Sequence, residues 1–364
     1  MRMHRRQFLA MAGFAALAGI PAAARAGGLT HIAAIAPAGG TVIDPTLLVA
    51  GSAESAAGRW STVLAPALAQ GLGSPAPLAT HLTSGLDGVT GANQFDTQTV
   101  PDGATALLVP GAALVASLAG DPRAHYDFGR WVPLLFSLVS PIVVGRADLH
   151  RTLRDLVRDR PIRVAVSSDH SIELATVMAM AIFGFRPIPV TGFATPQEAL
   201  TALRDGKVDV VQISDPMPPQ TLDALLAPLE QTGATPLFTL TDNVRVTVHG
   251  TPVPSFAERF NQERGRPPAG LLYDAWKIVA AAASLDIGLM LPMLTPPEQV
   301  AGWRHAVGLA GTQGALDTLR NDAGRTLVSG PDCGRYLHDM TGEITAVLML
   351  RRWLAVHTAE WRLG

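Results

Sequence analysis

"IPVTGFATPQEALTALRDGKVDVVQIS", residues 188–214, decides the fold class. "IPV" is apolar and stops at Thr191 and Gly192. "TPQEALTALRDG" then opens on Thr195 as N-cap, places Pro196 at the first helical position and closes on Gly206. "VDVVQIS" follows as a continuous apolar run of strand length, the pattern of a strand buried on both faces. Strand, capped helix and buried strand in succession form a βαβ unit, the repeating element of an open α/β sheet.

The same rhythm runs outward in both directions. "SPIVVGR" and "IRVAVSS" read as strands flanking a charged helix, "TLRDLVRDR", and "SIELATVMAMAIFGF" reads as an amphipathic helix beginning beside Ser168. Nearer the N-terminus, "TLLVAG" (46–51) is a strand. The helix "AAGRWSTVLAPALAQGLG" (56–73) follows, with Trp60, Val63, Leu64 and Leu68 at helical spacing. "LATHL" is the next strand, then the turn-rich "TSGLDGVTGANQF", then "PDGATALLVPG", in which a Pro-Asp-Gly turn leads into a buried strand. Two α/β halves result. "PLFTLTD" is placed as a return toward the first half, and the chain from about residue 255 reads as mainly helical.

Residues 1–26 have the form of an export signal: a basic start "MRMHRRQ", the apolar run "FLAMAGFAALAGI", and a small-residue end suited to cleavage after Ala26. Arg5 and Arg6 followed by Gln7, Phe8 and Leu9 match the twin-arginine pattern. The chain carries 28 basic and 30 acidic side chains; loss of the signal removes Arg2, Arg5, Arg6 and Arg25 and leaves 24 against 30, a net of −6. That balance argues against nucleic acid or an anionic membrane as partner. No run after the signal is long and uncharged enough to cross a bilayer. The single cysteine, Cys333, can form neither an internal disulfide nor a metal cluster and reads as a packed residue.

No catalytic signature is present: no G-x-S-x-G elbow, no P-loop, no H-E-x-x-H and no G-x-G-x-x-G between strand and helix. His170 and Glu173, three apart, are a possible acid/base pair without an evident third partner. More informative are three loops of small and hydroxyl residues at strand ends: "GSAES" (51–55), "TSGLDGVTG" (83–91) and "SSDHS" (167–171). In open α/β sheets ligands lie outside the carboxyl ends of the strands, where helix N-termini expose N–H groups. Such loops suit an anion, a carboxylate included, without any arginine. Taken singly, each loop is better explained by ordinary helix capping; three such loops across two domains bring the two readings level.

The order of these segments resembles the periplasmic solute-binding proteins of tripartite tricarboxylate transporters, the TctC or Bug family. "VPDGATALLVPGAA" looks like the family's Pro-Asp-Gly-Tyr-Thr-Leu-Leu element, and "YDFGRWVPLLFSLVSPIVVGRADL" is similar to its Asp-Phe-x-Pro-Val segment and following strand. "IPVTGFATPQEALTALRDGKVDVVQIS" resembles its Tyr-Lys-Gly, Pro-Ala-Leu, Gly-x-Val-Asp run, and "LMLPMLTPPEQVAGWRHAV" its Ala-Pro-x-Gly-Thr-Pro segment. The resemblance spans roughly residues 45–350, with gaps.

It implies a two-domain periplasmic-binding-protein-like α/β fold (type II) with a ligand cleft between the domains and a mainly helical C-terminal part. The boundaries expected are 27–141 plus 246–364 for domain 1 and 142–245 for domain 2. It implies no enzyme and no cofactor, but a monomeric periplasmic receptor that delivers a small carboxylate to membrane transporter subunits. The ligand-binding residues expected are Gly51, Ser52, Ser55, Ser84, Gly85, Gly88, Thr90, Gly91, Ser167, Ser168, His170, Ser171, Thr191 and Gly192. "APAGG" also looks like the family's ligand loop, but Arg59 at the place of the family's helix arginine favours Gly51–Ser55 and puts Pro37–Gly40 in an N-terminal extension. Two departures stand out: Thr191 and Gly192 replace Tyr-Lys-Gly, and Asp87 would repel a carboxylate if it faced inward. The alternatives are an exported enzyme using His170 with Glu173 or Asp169, and a degenerate member serving as a sensory or partner-binding module.

Overall fold

Two sheets of like design organise the chain, the first with two antiparallel strands and the second with one. The computed structural model describes residues 44–146, 149, 161–193, 195–317 and 324–361. The expected signal, Pro37–Gly40 and the helix expected over 152–160 lie outside the described residues. In the first half, strands β1 (Thr46–Val49), β2 (Ala79–Leu82), β3 (Thr105–Val109) and β4 (Val132–Leu138) alternate with helices α1 (Ala56–Ala69), α2 (Val89–Gln98) and α3 (Gly111–Ala119). The second half contains β5 (Ile142–Arg146), β6 (Pro161–Ala165), β7 (Arg186–Val190), β8 (Val210–Ile213) and β9 (Ala234–Thr239). Its helices are α4 (Leu174–Phe183), α5 (Pro196–Arg204) and α6 (Pro219–Glu230). A short hairpin, β10 (Thr247–Val248) and β11 (Thr251–Pro252), precedes α7 (Phe256–Arg264) and α8 (Leu271–Ala283). Then come β12 (Leu285–Leu291), α9 (Pro297–Thr312), β13 (Thr326–Ser329), α10 (Asp332–Thr341) and α11 (Ile344–Trp361).

The first sheet has the order β13-β4-β12-β3-β1-β2 and the second β7-β6-β8-β5-β9. In each, three parallel strands lie in the order second, first, third (β2-β1-β3 and β7-β6-β8). An antiparallel strand pairs beside the third, β12 in one sheet and β5 in the other. The opening βαβ unit forms as expected: Thr195 Oγ1 accepts from Glu198 N–H, and the Glu198 side chain returns to the Thr195 N–H in a capping box.

Three expectations change. "PLFTLTD" does not return to the first sheet, because β9 pairs with β5 inside the second. The C-terminal part is helical but also supplies β12 and β13, and β12 is central in the first sheet, between β3 and β4. The helix expected beside Ser168 begins only at Leu174, and nearly all of its positions are buried. It is sandwiched between the second half and α8, whose Trp276 indole donates to Ala175 O at 2.9 Å.

Phe183 in α4 also meets Phe238, Phe256 and Phe260 with ring centroids 5.2–5.7 Å apart. Together with Arg259 Nε donating to Leu237 O at 3.0 Å, these rings pack α7 on the second half, beyond the boundary expected at 245. One apolar cluster therefore runs from Leu48 and Val109 of the first half through α8 to Val164 and Phe238 of the second.

Among the described residues no helix is long and apolar enough to cross a membrane.

Candidate functional site

A cleft of about 920 Å³ opens between the ends of the parallel strands of the two halves. From the first half it receives Gly85, Leu86, Asp87 and Thr90, around the turn into α2, and Asp121, Pro122 and Arg123 after α3. From the second it receives Ser167–Glu173 after β6, Phe193 and Thr195 after β7, and Gln212, Ser214 and Asp215 at the end of β8. This is the place where strand carboxyl ends and helix N-termini converge.

The polar groups of the cleft are tied to one another. Arg123 grips Asp121 through Nη2–Oδ2 at 2.6 Å and Nε–Oδ1 at 3.1 Å, and its Nη1 lies 2.9 Å from Asp87 Oδ2. Burial pushes the Asp121 carboxyl up, but the hydrogen bonds and charge of Arg123, helped by His170, outweigh it and hold the group below the ordinary carboxylate range. The other oxygen of Asp87 accepts from Val89 N–H at 3.2 Å, so the N-terminus of α2 already carries a carboxylate.

In the second half Glu173 plays the same part. Its Oε2 accepts from Ser167 Oγ at 3.1 Å and, in a shorter contact, from Ser171 Oγ. Gln212 is held on both sides, accepting from Thr176 Oγ1 at 2.7 Å and donating to Ser214 Oγ at 2.9 Å, which leaves the Ser214 hydroxyl proton free to point at a ligand.

Among solved structures, a TctC solute-binding protein from Polaromonas, without ligand, superposes with a TM-score of 0.57 at 19% identity, over 84% of this chain and 97% of that one. The chain has the fold of the TctC and Bug binding proteins. MatC from Rhodopseudomonas palustris, solved with bound malate, gives 0.50 at 18% identity over 87% and 97% of the two chains. The periplasmic binding protein BugD gives 0.50 at 14% identity over 87% and 97%. No protein-family model and no curated protein matches the sequence.

Of the residues expected from the sequence to bind a ligand, Gly85, Thr90, Ser167, Ser168, His170 and Ser171 line the cleft of this TctC-type fold. Gly51, Ser52, Ser55, Ser84, Gly88, Gly91, Thr191 and Gly192 do not. Ser55 is buried as the N-cap of α1: its Oγ accepts from Gly58 N–H at 3.0 Å and donates to Ser52 O at 2.7 Å. Gly51 donates to Thr83 Oγ1 at 3.0 Å, and Ser52 N–H to Gly85 O at 3.1 Å, so this loop props up the next one. Gly88 has φ +78° and a Cβ there would lie 2.6 Å from Pro110 Cδ; at Gly91 it would lie 2.5 Å from Ala50 Cα. Those two glycines let α2 close against β1 and α3. Thr191 and Gly192 are exposed beside the cleft rather than in its lining.

His170 and Glu173 share the cleft but not a hydrogen bond, since Glu173 turns back to Ser167 and Ser171.

Sequence reasoning missed Ser214 and Asp215, although the strand-end rule that selected 167–171 applies equally to the end of β8. Asp121 and Arg123 follow a helix, not a strand, and no local pattern marks them.

Proposed function

We propose that this chain is a periplasmic solute-binding receptor of the TctC/Bug family that captures a small organic solute in the cleft and delivers it to membrane subunits of a tripartite tricarboxylate-type transporter. The observation that carries the proposal is the cleft itself, built from the strand-end loops of both halves in a fold whose neighbours are binding proteins. Export with a twin-arginine signal cleaved after Ala26 belongs to the same proposal and is supported by residues 1–26, and a monomeric state belongs to it through the resemblance alone. So does the division into domains, with closure about their junctions bringing the 167–171 loop toward the first-half loops.

A small carboxylate is the ligand class supported by the resemblance and by malate in MatC. A catalytic alternative centred on His170 loses support because Glu173 is engaged by two serines and no hydrogen bond orients the imidazole toward it. The test is thermal unfolding of the purified protein over a panel of organic acids, amino acids and amines. A ligand at 100 times its Kd adds about 2.7 kcal/mol of stability. A panel in which no small solute raises the unfolding midpoint would sink the receptor reading.

A further inference from the structure

Among the described residues the TctC-type cleft is lined by Asp87, Asp121, Asp169, Glu173 and Asp215 against one guanidinium, Arg123, and no lysine, a formal balance of −4 with His170 neutral and −3 with it protonated. Most of the groups that would hold a ligand carboxylate are already engaged. Arg123 is committed to Asp121 and Asp87. The N-terminus of α2 is occupied by Asp87, and the Ser167 and Ser171 hydroxyls are drawn to Glu173. In both halves the chain's own carboxylate thus sits where an incoming anion would be welcomed. Asp169 and Asp215, by contrast, have no hydrogen-bond or ion-pair partner among the described residues, and both face the cleft.

We infer that the solute taken by this cleft carries a protonated amine or guanidinium group, received by Asp169 and Asp215, and that a bare dicarboxylate is rejected. The inference rests on the cleft being the ligand site and adds the charge of what enters it. An anion would meet like charge with only the His170 imidazole unpaired among the described residues to offset it, whereas an ammonium would satisfy two carboxylates that have no other partner there. The hydroxyls of Thr90 and Ser214 remain to orient the rest of the molecule.

A matched six-carbon series tests the charge alone: adipate, 6-aminohexanoate and 1,6-diaminohexane, titrated calorimetrically into the purified protein at low and at physiological salt. Affinity is expected to rise along the series, with the diamine at least about tenfold tighter than adipate and weakened by salt. Asp215→Asn, at an exposed position, is expected to weaken the diamine about tenfold and to narrow its gap to adipate. Adipate binding tightest, or diamine affinity unchanged in Asp215→Asn, overturns this inference and leaves the receptor reading standing. If no member of the series binds while another acid from the wider panel does, the inference falls again and the receptor survives. Silence from the series and the panel together ends both.

Discussion

Arg123 holds two carboxylates, and the pair it forms with Asp121 sets a pH dependence. The Asp121 carboxyl is lowered in the folded state, so its contribution is full above its ordinary value of 3.8 and is lost as pH falls through the folded-state value. The guanidinium is 58% exposed, which screens the pair to about 1 kcal/mol or less at neutral pH. Asp121→Asn is therefore expected to lower the unfolding midpoint slightly at pH 7, with the difference from the parent closing below about pH 4; a difference that instead grows with acid would be the wrong sign. A larger effect belongs to Asp286. Its Oδ2 accepts from Trp60 Nε1 at 3.0 Å, Ser137 Oγ at 3.1 Å and Arg325 Nε at 3.0 Å, joining α1, β4 and β13 across β12. Asp286→Ala strands a largely buried guanidinium and two more donors, and denaturant unfolding is expected to show a loss on the order of 3 kcal/mol. Neither role was legible in the sequence, because Asp121 and Asp286 acquire their partners only once distant segments meet. Cys333, read as a packed residue, was legible. It is buried, it donates to Val328 O, and burial pushes its thiol up to about 12, so native protein is expected to resist thiol reagents at pH 8.

Between residue and fold lies the capping of α1. Ser55 binds the first turn and the Ser52 carbonyl at once, so Ser55→Ala is expected to cost about 1 kcal/mol of stability while solute affinity holds. Equal losses of affinity and stability would instead place Ser55 in the site. Elements announced by local chemistry were readable: the Thr195–Pro196 start of α5, the Pro-Asp-Gly turn before β3, the strand runs around residues 142 and 210. β12 was not. Ala283, the end of α8, is followed by Ser284 and at once by "LDIGLML", so no turn residue interrupts the apolar run and its change from helical to extended period is hidden. α4 misled for a related reason. Its apolar residues suggested one buried face, whereas a helix covered on both sides has no exposed face to show in the sequence. The small-residue loops divided by a rule the letters do not carry, since glycine admits a ligand and a neighbouring helix equally well.

At the scale of the molecule, the halves are joined by two crossings that lie side by side. Val139 N–H donates to Ser284 O at 2.8 Å, Leu240 N–H to Pro141 O at 2.9 Å, and Val244 N–H to Ser140 Oγ at 2.8 Å. The buried Trp276–Ala175 bond adds a third tie. Trp361 Nε1, at the end of α11, adds a fourth by reaching Pro187 O at 3.0 Å. Trp276→Phe removes the second donor to a carbonyl that keeps its own helical partner and is expected to cost about 1 kcal/mol, with hydrogen exchange quickening in α4 before it does in β1 or β3. Uniform quickening would mean that the halves unfold as one. That two α/β halves exist was visible in the sequence; that one apolar cluster runs through both was not, because its members come from either side of the second-half insertion.

The central place of β12 also dictates an order of events while the chain is being made. β3 and β4 emerge early, but the strand that belongs between them begins at Leu285, after the whole second half. Until then the first sheet has two apolar strands with open edges, the condition under which nascent chains associate wrongly. The second sheet is built from consecutive sequence, although α8, which covers α4, is made only just before β12. The strands of the inner sheet are therefore all made before the outer sheet that encloses it in sequence is complete, and the late segment from Leu285 is the fastener that closes the outer sheet.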